Sequence, residues 1–319
     1  MNLAGTVSRK WFARFALAVL LYNLPVILWG AYVRVSFSGD GCGANWPTCN
    51  GQLVPQKLTT PAAIEFTHRA MTSVDTVAVL ALLVWAFLAF PRKHAIRKYA
   101  LWSLVFLFIE ALLGAGLVLF RLVAKDQSAG RAWYLSGHLT NTMLLLAALT
   151  VTAWLAYTSR ERLRLGAIPR GLWSALALTV FVSITGAITA LGDTLFPAAS
   201  LASGVQQDFS SASGILLRLR VIHPLLALSV ALYLVWLANR ERPARGAYAV
   251  IAAAIIQVGA GVLNLVLLAP LAMQLIHLLL ADLLWMAVVV LSIERAAGTQ
   301  PVVHAPVLGE ATASAHRPA

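Results

Sequence analysis

The chain has 319 residues, 60% of them hydrophobic and only 11% charged. A soluble domain carries about a quarter of its residues as charge, so this composition points away from a soluble globule and toward a bilayer protein. The net charge of +12 would suggest nucleic acid in a soluble chain. Here it falls in short segments between long apolar runs, the Lys/Arg bias of cytoplasmic loops explains it, and no nucleic-acid partner is expected.

The first apolar run, Phe15 to Val33, is too long for the core of a secretory signal and has no small-residue cleavage site. It predicts a first membrane helix over 13–34. Seven more spans are expected at 66–90, 98–121, 133–157, 170–191, 215–238, 246–268 and 271–294, each near the roughly 20 apolar residues that a crossing requires. Pro270 sits in a short seventh-to-eighth connection, which predicts a tight hairpin. The expected fold is an all-α integral membrane protein with eight transmembrane helices as two pseudo-symmetric four-helix bundles. Residues 1–158 form the N-terminal half and 159–295 the C-terminal half. A tail, 296–319, is rich in Ala, Pro and polar residues and is expected to be disordered.

Alternate connections divide the Lys and Arg unequally. Sixteen fall on the side of both termini, including Arg92, Lys93, Arg97 and Lys98 and the cluster Arg160, Arg162, Arg164 and Arg170. Eight fall on the other side. The richer side is cytoplasmic by this rule, so both termini face the cytoplasm of a multi-pass cell-membrane protein. The 1–2, 3–4 and 5–6 loops then face outward.

In the first outer loop, Cys42 and Cys49 bracket Gly-Ala-Asn-Trp-Pro-Thr. An oxidising compartment lets a disulfide form and persist there. It serves either as a loop staple or as a redox-active pair, and the sequence leaves both open.

The two halves echo each other. Gly30-Ala31 closes the first span and Gly186-Ala187 lies near the end of the fifth. Gly114-Ala115-Gly116 in the third recurs as Gly259-Ala260-Gly261 in the seventh. Small residues permit close helix approach. Four spans per half give a parallel repeat about an axis along the membrane normal.

Histidines strengthen the repeat. His94, His304 and His316 read as solvated loop or tail residues. His68, His138, His223 and His277 fall near the outer ends of the second, fourth, sixth and eighth spans. Ionisable residues in a membrane are costly and normally face a partner inside the bundle. One reading is four neutral imidazoles hydrogen-bonded across helices. The other is axial ligation of haem iron, in pairs within each half: His68 with His138 and His223 with His277. Zinc fits less well, because no Cys, Asp or Glu completes a compact set around all four.

The halves differ in charge. Glu65 precedes His68 by three residues, on the same helix face, whereas Arg220 stands three before His223. A carboxylate beside a haem ligand suits acid–base work or stabilisation of positive charge, or else it favours a helix N-terminus. A cation such as Arg220 suits a haem propionate; Arg69 and Arg131 either meet propionates or snorkel. Asp75, Glu110 and Asp282 lie within spans and suit proton movement or helix contacts.

Together these residues resemble the haem A synthase family over most of 15–294, in the bacterial type with one cysteine pair in the first outer loop. The resemblance rests on Gly41 to Gly51, Ile64-Glu65-Phe66-Thr67-His68-Arg69, Gly137-His138-Leu139, Gly186 to Ala198, His223-Pro224 and His277-Leu278. It implies oxidation of the C8 methyl of haem O to a formyl group, giving haem A for terminal oxidases. It also implies that His68 and His138 hold the haem O or haem A iron, that Glu65 is catalytic, and that His223 and His277 hold the iron of a haem b. Cys42 and Cys49 match the family's loop pair; a second pair seen in some members, in the 5–6 loop, is absent here. The implied partners are haem O synthase and the terminal oxidase assembly route. The electron acceptor goes unnamed, and a homo-oligomer is left open.

Two other readings compete. A di-haem electron-transfer protein of the cytochrome b kind uses the same histidines but needs no Glu65 and places its haems on opposite sides. A small-solute transporter needs helices broken at matching places; Pro25 and Pro224 fall in the first and sixth spans, which do not correspond.

Overall fold

A computed structural model describes residues 3–210 and 214–297. The expected tail from 298 onward, with His304 and His316, lies outside the described residues. Nine α-helices occur among the described residues: α1 (Leu3–Val35), α2 (Thr60–Ala89), α3 (Ala95–Leu119), α4 (Ala129–Thr158), α5 (Arg170–Leu195), α6 (Leu201–Asp208), α7 (Ile215–Arg240), α8 (Arg245–Val266) and α9 (Leu271–Ala297). All but α6 are long and apolar enough to cross a membrane. The chain is therefore a multi-pass membrane protein.

Local chemistry sets the ends. Thr59 caps α2 by accepting from the Ala62 N–H, and Pro61 occupies the first turn, where a missing N–H costs nothing. Ser128 caps α4 through the Arg131 N–H. Pro91, Pro169, Pro243 and Pro270 fall between helices, where a ring that cannot continue a helix belongs. The short α6 carries a capping box in which Ser200 and Ser203 satisfy each other's backbone.

α1 to α4 close a ring of contacts, α1 on α2, α2 on α3, α3 on α4 and α4 on α1. α5, α7, α8 and α9 close a second ring in the same order. The rings meet through α4 on α5 and α9, and through α1 on α9. α4 is accordingly the most enclosed span. Its Leu146, Leu149 and Leu155 pack in one apolar cluster with Phe12, Leu82 and Trp285 from α1, α2 and α9. Two polar links cross the seam. Trp285 donates to the Met143 carbonyl at 2.7 Å. Arg34, near the C-terminal end of α1, donates to Ala190 O at 2.7 Å, Thr194 Oγ1 at 3.0 Å and Gln274 Oε1 at 3.3 Å.

One bland reading is corrected. His94 is buried, not a solvated loop residue. It caps α3, its Nδ1 accepting from the Ile96 N–H at 3.2 Å, and its ring packs on Phe90. Burial lowers its pKa; Glu161 opposes the shift and Arg9 adds to it. The unfolded chain then takes up this proton first as pH falls below about 6.5, so stability drops on acidification from there. His94→Asn keeps a capping acceptor and removes the titration. Thermal unfolding in detergent from about pH 7.5 down to about pH 5 should therefore show a flatter acid dependence in the variant. An unchanged slope would rule His94 out as its source.

Candidate functional site

The four membrane histidines lie in the second or third turn of α2, α4, α7 and α9, all counted from the same membrane side. At 1.5 Å per residue that is about 9–14 Å below the helix starts. His68 lies within electrostatic range of His138 and Glu110, and His223 within range of His277. The pairs expected from the repeat are thus the pairs brought together, one inside each ring.

Every one of these imidazoles faces a glycine on a neighbouring helix. A methyl group on Gly30 would lie 3.0 Å from Cε1 of His68, one on Gly186 2.8 Å from Cε1 of His223, and one on Gly261 3.1 Å from Cε1 of His277. On Gly114 it would stand 3.6 Å from Nε2 of His138. The glycines therefore make room for rings as well as for helix approach. The repeat is out of register by two residues here. Gly114 is the first glycine of its Gly-Ala-Gly, whereas Gly261 is the last of its own, and Gly259 has nothing within 4 Å.

Hydrogen-bond partners distinguish the rings. Nδ1 of His138 is 2.7 Å from Oε1 of Glu110. Nδ1 of His223 is 3.0 Å from the Thr185 hydroxyl. Nε2 of His277 is 3.3 Å from Gln257 Nε2. The buried Nδ1 atoms of His68 and His277 have no partner among the described residues. Equal distances from the α3–α4 connection bring them level: Glu110 lies nine residues before the end of α3 and His138 nine after the start of α4.

Glu65 is buried in the second turn of α2, past the first turn in which a helix dipole acts. Its Oε2 accepts from the Cys42 N–H at 2.8 Å and its Oε1 pairs with Arg69 Nη2 at 2.5 Å. Arg69 also donates to the carbonyls of Asn45, Pro47 and Thr48. Cys42 and Cys49 form a disulfide, and both are buried against Ala62 and Phe66. Glu65 and Arg69 thus hold the stapled α1–α2 loop onto α2, at the turn that precedes His68.

Arg220 occupies the corresponding place in the second ring. Its Nε is 3.0 Å from Asp193 and 3.5 Å from Asp208, and its Nη1 donates to Phe196 O. It pins the segment after α5 as Glu65 pins the segment after α1. In α6, burial pushes the Asp208 carboxyl up, and Arg220 opposes the shift. Arg131 is 2% exposed and donates to Ala124 O and Asp126 O, so its guanidinium is held inside the protein.

Two further carboxylates are buried inside spans. Asp75 accepts from Asn23 at 3.0 Å and so ties α2 to α1. Oδ2 of Asp282, in α9, has no partner among the described residues.

The fit for haem can be judged from these observations. Two imidazoles within electrostatic range of each other in each ring, a glycine beside every imidazole, and unpartnered Nδ1 atoms on His68 and His277 suit bis-histidine ligation of an iron porphyrin.

Comparison with known proteins gives relatives of two names. Protoheme IX farnesyltransferase of Thermus thermophilus is 44% identical over 293 residues, covering 88% of this chain and 48% of that protein. Heme A synthase of Geobacillus kaustophilus is 40% identical over 113 residues, 35% of each chain. Heme A synthase of Lysinibacillus sphaericus is 39% identical over 111 residues, again 35% of each. The chain spans about half the length of the first curated relatives it matches. A family model described as cytochrome oxidase assembly protein, COX15-CtaA, matches residues 13–289, and the chain belongs to that family.

Proposed function

We propose that this chain is a haem A synthase, an oxidoreductase that converts the C8 methyl of haem O to the formyl group of haem A. The observation that carries the reading is the inequivalence of two like sites. Both offer paired histidines at one depth, yet in the first a carboxylate, Glu110, sits on a histidine ring and Glu65 stands one turn before His68, whereas in the second the matching position is the cation Arg220, which holds Asp193 and Asp208. One site then serves chemistry and the other a resident cofactor. Relatives named Heme A synthase, at 39–40% identity over a third of the chain, support the same reading.

His68 and His138 would hold the iron of the substrate haem O and of the product haem A. His223 and His277 would hold haem b, which when bound supplies one-electron redox chemistry. Glu65 keeps unused acceptor capacity, because a carboxylate offers about four lone-pair sites and two are engaged here. It would take a proton from the reacting methyl or steady positive charge developing there. The conversion of methyl to formyl takes one water oxygen and releases four protons and four electrons to an acceptor, so the stapled loop above would hold Glu65 in place while leaving water access to the methyl. The natural division of the chain is 1–158 for the substrate half and 159–295 for the haem b half. The Lys and Arg counts support a reading with both termini in the cytoplasm and both sites toward the outer face of the cell membrane.

Product haem A would go to terminal oxidase assembly, and substrate would come from an enzyme that prenylates protohaem. A relative carrying a farnesyltransferase name fits that neighbourhood. More than half of its length lies outside the match to this chain, so the name gives no ground for assigning prenyl transfer here.

The test is extraction of haem from the purified protein with acid–acetone, followed by chromatography. Haem b with haem O or haem A is expected. Haem b alone, at two per chain, would replace the synthase with a di-haem electron carrier. An absence of haem would overturn both.

A further inference from the structure

Of the four membrane histidines, only His138 has a carboxylate on its ring. Glu110 reaches it from α3, Oε1 to Nδ1 at 2.7 Å. The same carboxylate accepts from Asn141 Nδ2 at 2.5 Å and from the Thr142 hydroxyl, both of them about one turn inward on α4. Asn141 Nδ2 also donates to the Phe106 carbonyl, which fixes that amide's orientation. The Thr142 hydroxyl has a single hydrogen, which it shares between Glu110 and the His138 carbonyl at 2.9 Å. An ionised carboxylate offers only acceptors, so at the 2.7 Å contact Nδ1 of His138 carries the hydrogen and Nε2 is left as the lone-pair nitrogen. Nε2 is the atom that faces Gly114.

The second ring has no such group. Counted from the glycines that face the histidines, Gly114 and Gly261, the position of Glu110 is taken by Gln257, a neutral amide that lies 3.3 Å from Nε2 of His277 and does not reach its Nδ1. Nδ1 of His277 has no partner among the described residues, and Nδ1 of His223 meets a neutral hydroxyl, that of Thr185. The rings therefore differ by one negative charge placed behind a ligand.

That difference has a direct electronic consequence. An imidazole that shares its distal N–H with a carboxylate is the more basic ligand at its other nitrogen. Ferric iron carries one more positive charge than ferrous iron, so both the stronger ligand and the nearby negative charge favour the ferric state. Salt screens such a buried charge little.

We propose that Glu110 is a positioning residue that fixes the Nδ1–H tautomer of His138 and lowers the reduction potential of a haem iron held by His68 and His138 below that of the same haem held by His223 and His277. This rests on the haem assignment proposed above. Such an ordering favours passage of one electron from the first site, ferrous to ferric, to the second, ferric to ferrous. That is the direction in which an oxidation at the first site must send its electrons.

The experiment uses the full chain in detergent, loaded with protohaem at both sites so that the macrocycle is the same, and titrated spectroelectrochemically. A His277→Ala variant, loaded at the first site only, assigns each wave. Glu110→Gln should raise the first-site midpoint by at least a tenfold change in the ferric-to-ferrous ratio, about 59 mV for one electron, and leave the second site where it is. Thr142→Val frees Oε1 for His138 alone and should move the first-site midpoint the opposite way. A purely structural role would not give opposite signs. If the first site takes up haem and neither variant moves it, or both move it in one direction, the proposal is overturned while the haem assignment stands. If Glu110→Gln fails to hold haem, Thr142→Val decides: a lowered midpoint supports the proposal, and an unchanged or raised one overturns it. If the wild-type first site takes up no haem, the assignment itself falls and the proposal with it.

Discussion

Gly186→Ala should strip haem from the second site and leave the first site loaded. The added methyl would stand 2.8 Å from Cε1 of His223, well inside the roughly 3.5–4.0 Å at which carbon atoms rest. Either the imidazole turns, breaking its contact with the Thr185 hydroxyl, or α5 and α7 move apart. Overpacking of this kind costs roughly 1–3 kcal/mol, which is about 5- to 150-fold in affinity. The readout is haem per chain by pyridine haemochrome, together with the loss of one of two spectral components. Gly259→Ala is the control. It lies two residues from Gly261, about 200° around α8 and so on the far side from His277. It meets nothing within 4 Å and should keep both haems. Equal losses in the two variants would mean that the glycines serve general packing and not the rings.

Glu65→Gln should keep haem at both sites and lower formyl formation by about 10²- to 10⁴-fold, the range that a positioned acid–base group contributes. Gln retains an oxygen to accept from the Cys42 N–H, so the outer loop keeps its anchor at 2.8 Å. It loses the ion pair with Arg69, but Arg69 still donates to three loop carbonyls. The double variant Cys42→Ser/Cys49→Ser separates the two roles, because it loosens the loop and leaves the carboxylate intact. If that variant abolishes formyl formation as fully as Glu65→Gln does, the carboxylate acts through the loop. If Glu65→Gln keeps full activity, it has no part in the chemistry. Extracted haems are quantified by chromatography in each case.

Much of this arrangement could be read from the residues because hydropathy and periodicity are local. The eight spans follow from apolar length, and the pairing of His68 with His138 and of His223 with His277 follows from the repeat. Features that depend on folded loops were not legible. α2 begins six residues before the expected 66 because Thr59 and Pro61 start a helix before the apolar run does. α6 has eight residues and no need of an apolar run, so hydropathy passes over it. His94 looks solvated in a basic loop and becomes buried only when Phe90 and the start of α3 fold over it. The contrast between Glu65 and Arg220 suggests haem chemistry, or for Glu65 a place at a helix N-terminus. In the fold both side chains also clasp an outer loop, a role that depends on where Cys42 and Phe196 come to rest.

Arg34 bears on the order in which the protein is made. A chain inserted from its N-terminus delivers α1 to α4 first, and those helices can close their own ring. Yet the partners of Arg34 are Ala190, Thr194 and Gln274, on α5 and α9. Until those helices arrive, a guanidinium near the lipid headgroups has only water and lipid to bond. The finished first half is therefore a waiting platform, and the last helix to enter the membrane is among those that settle its charge.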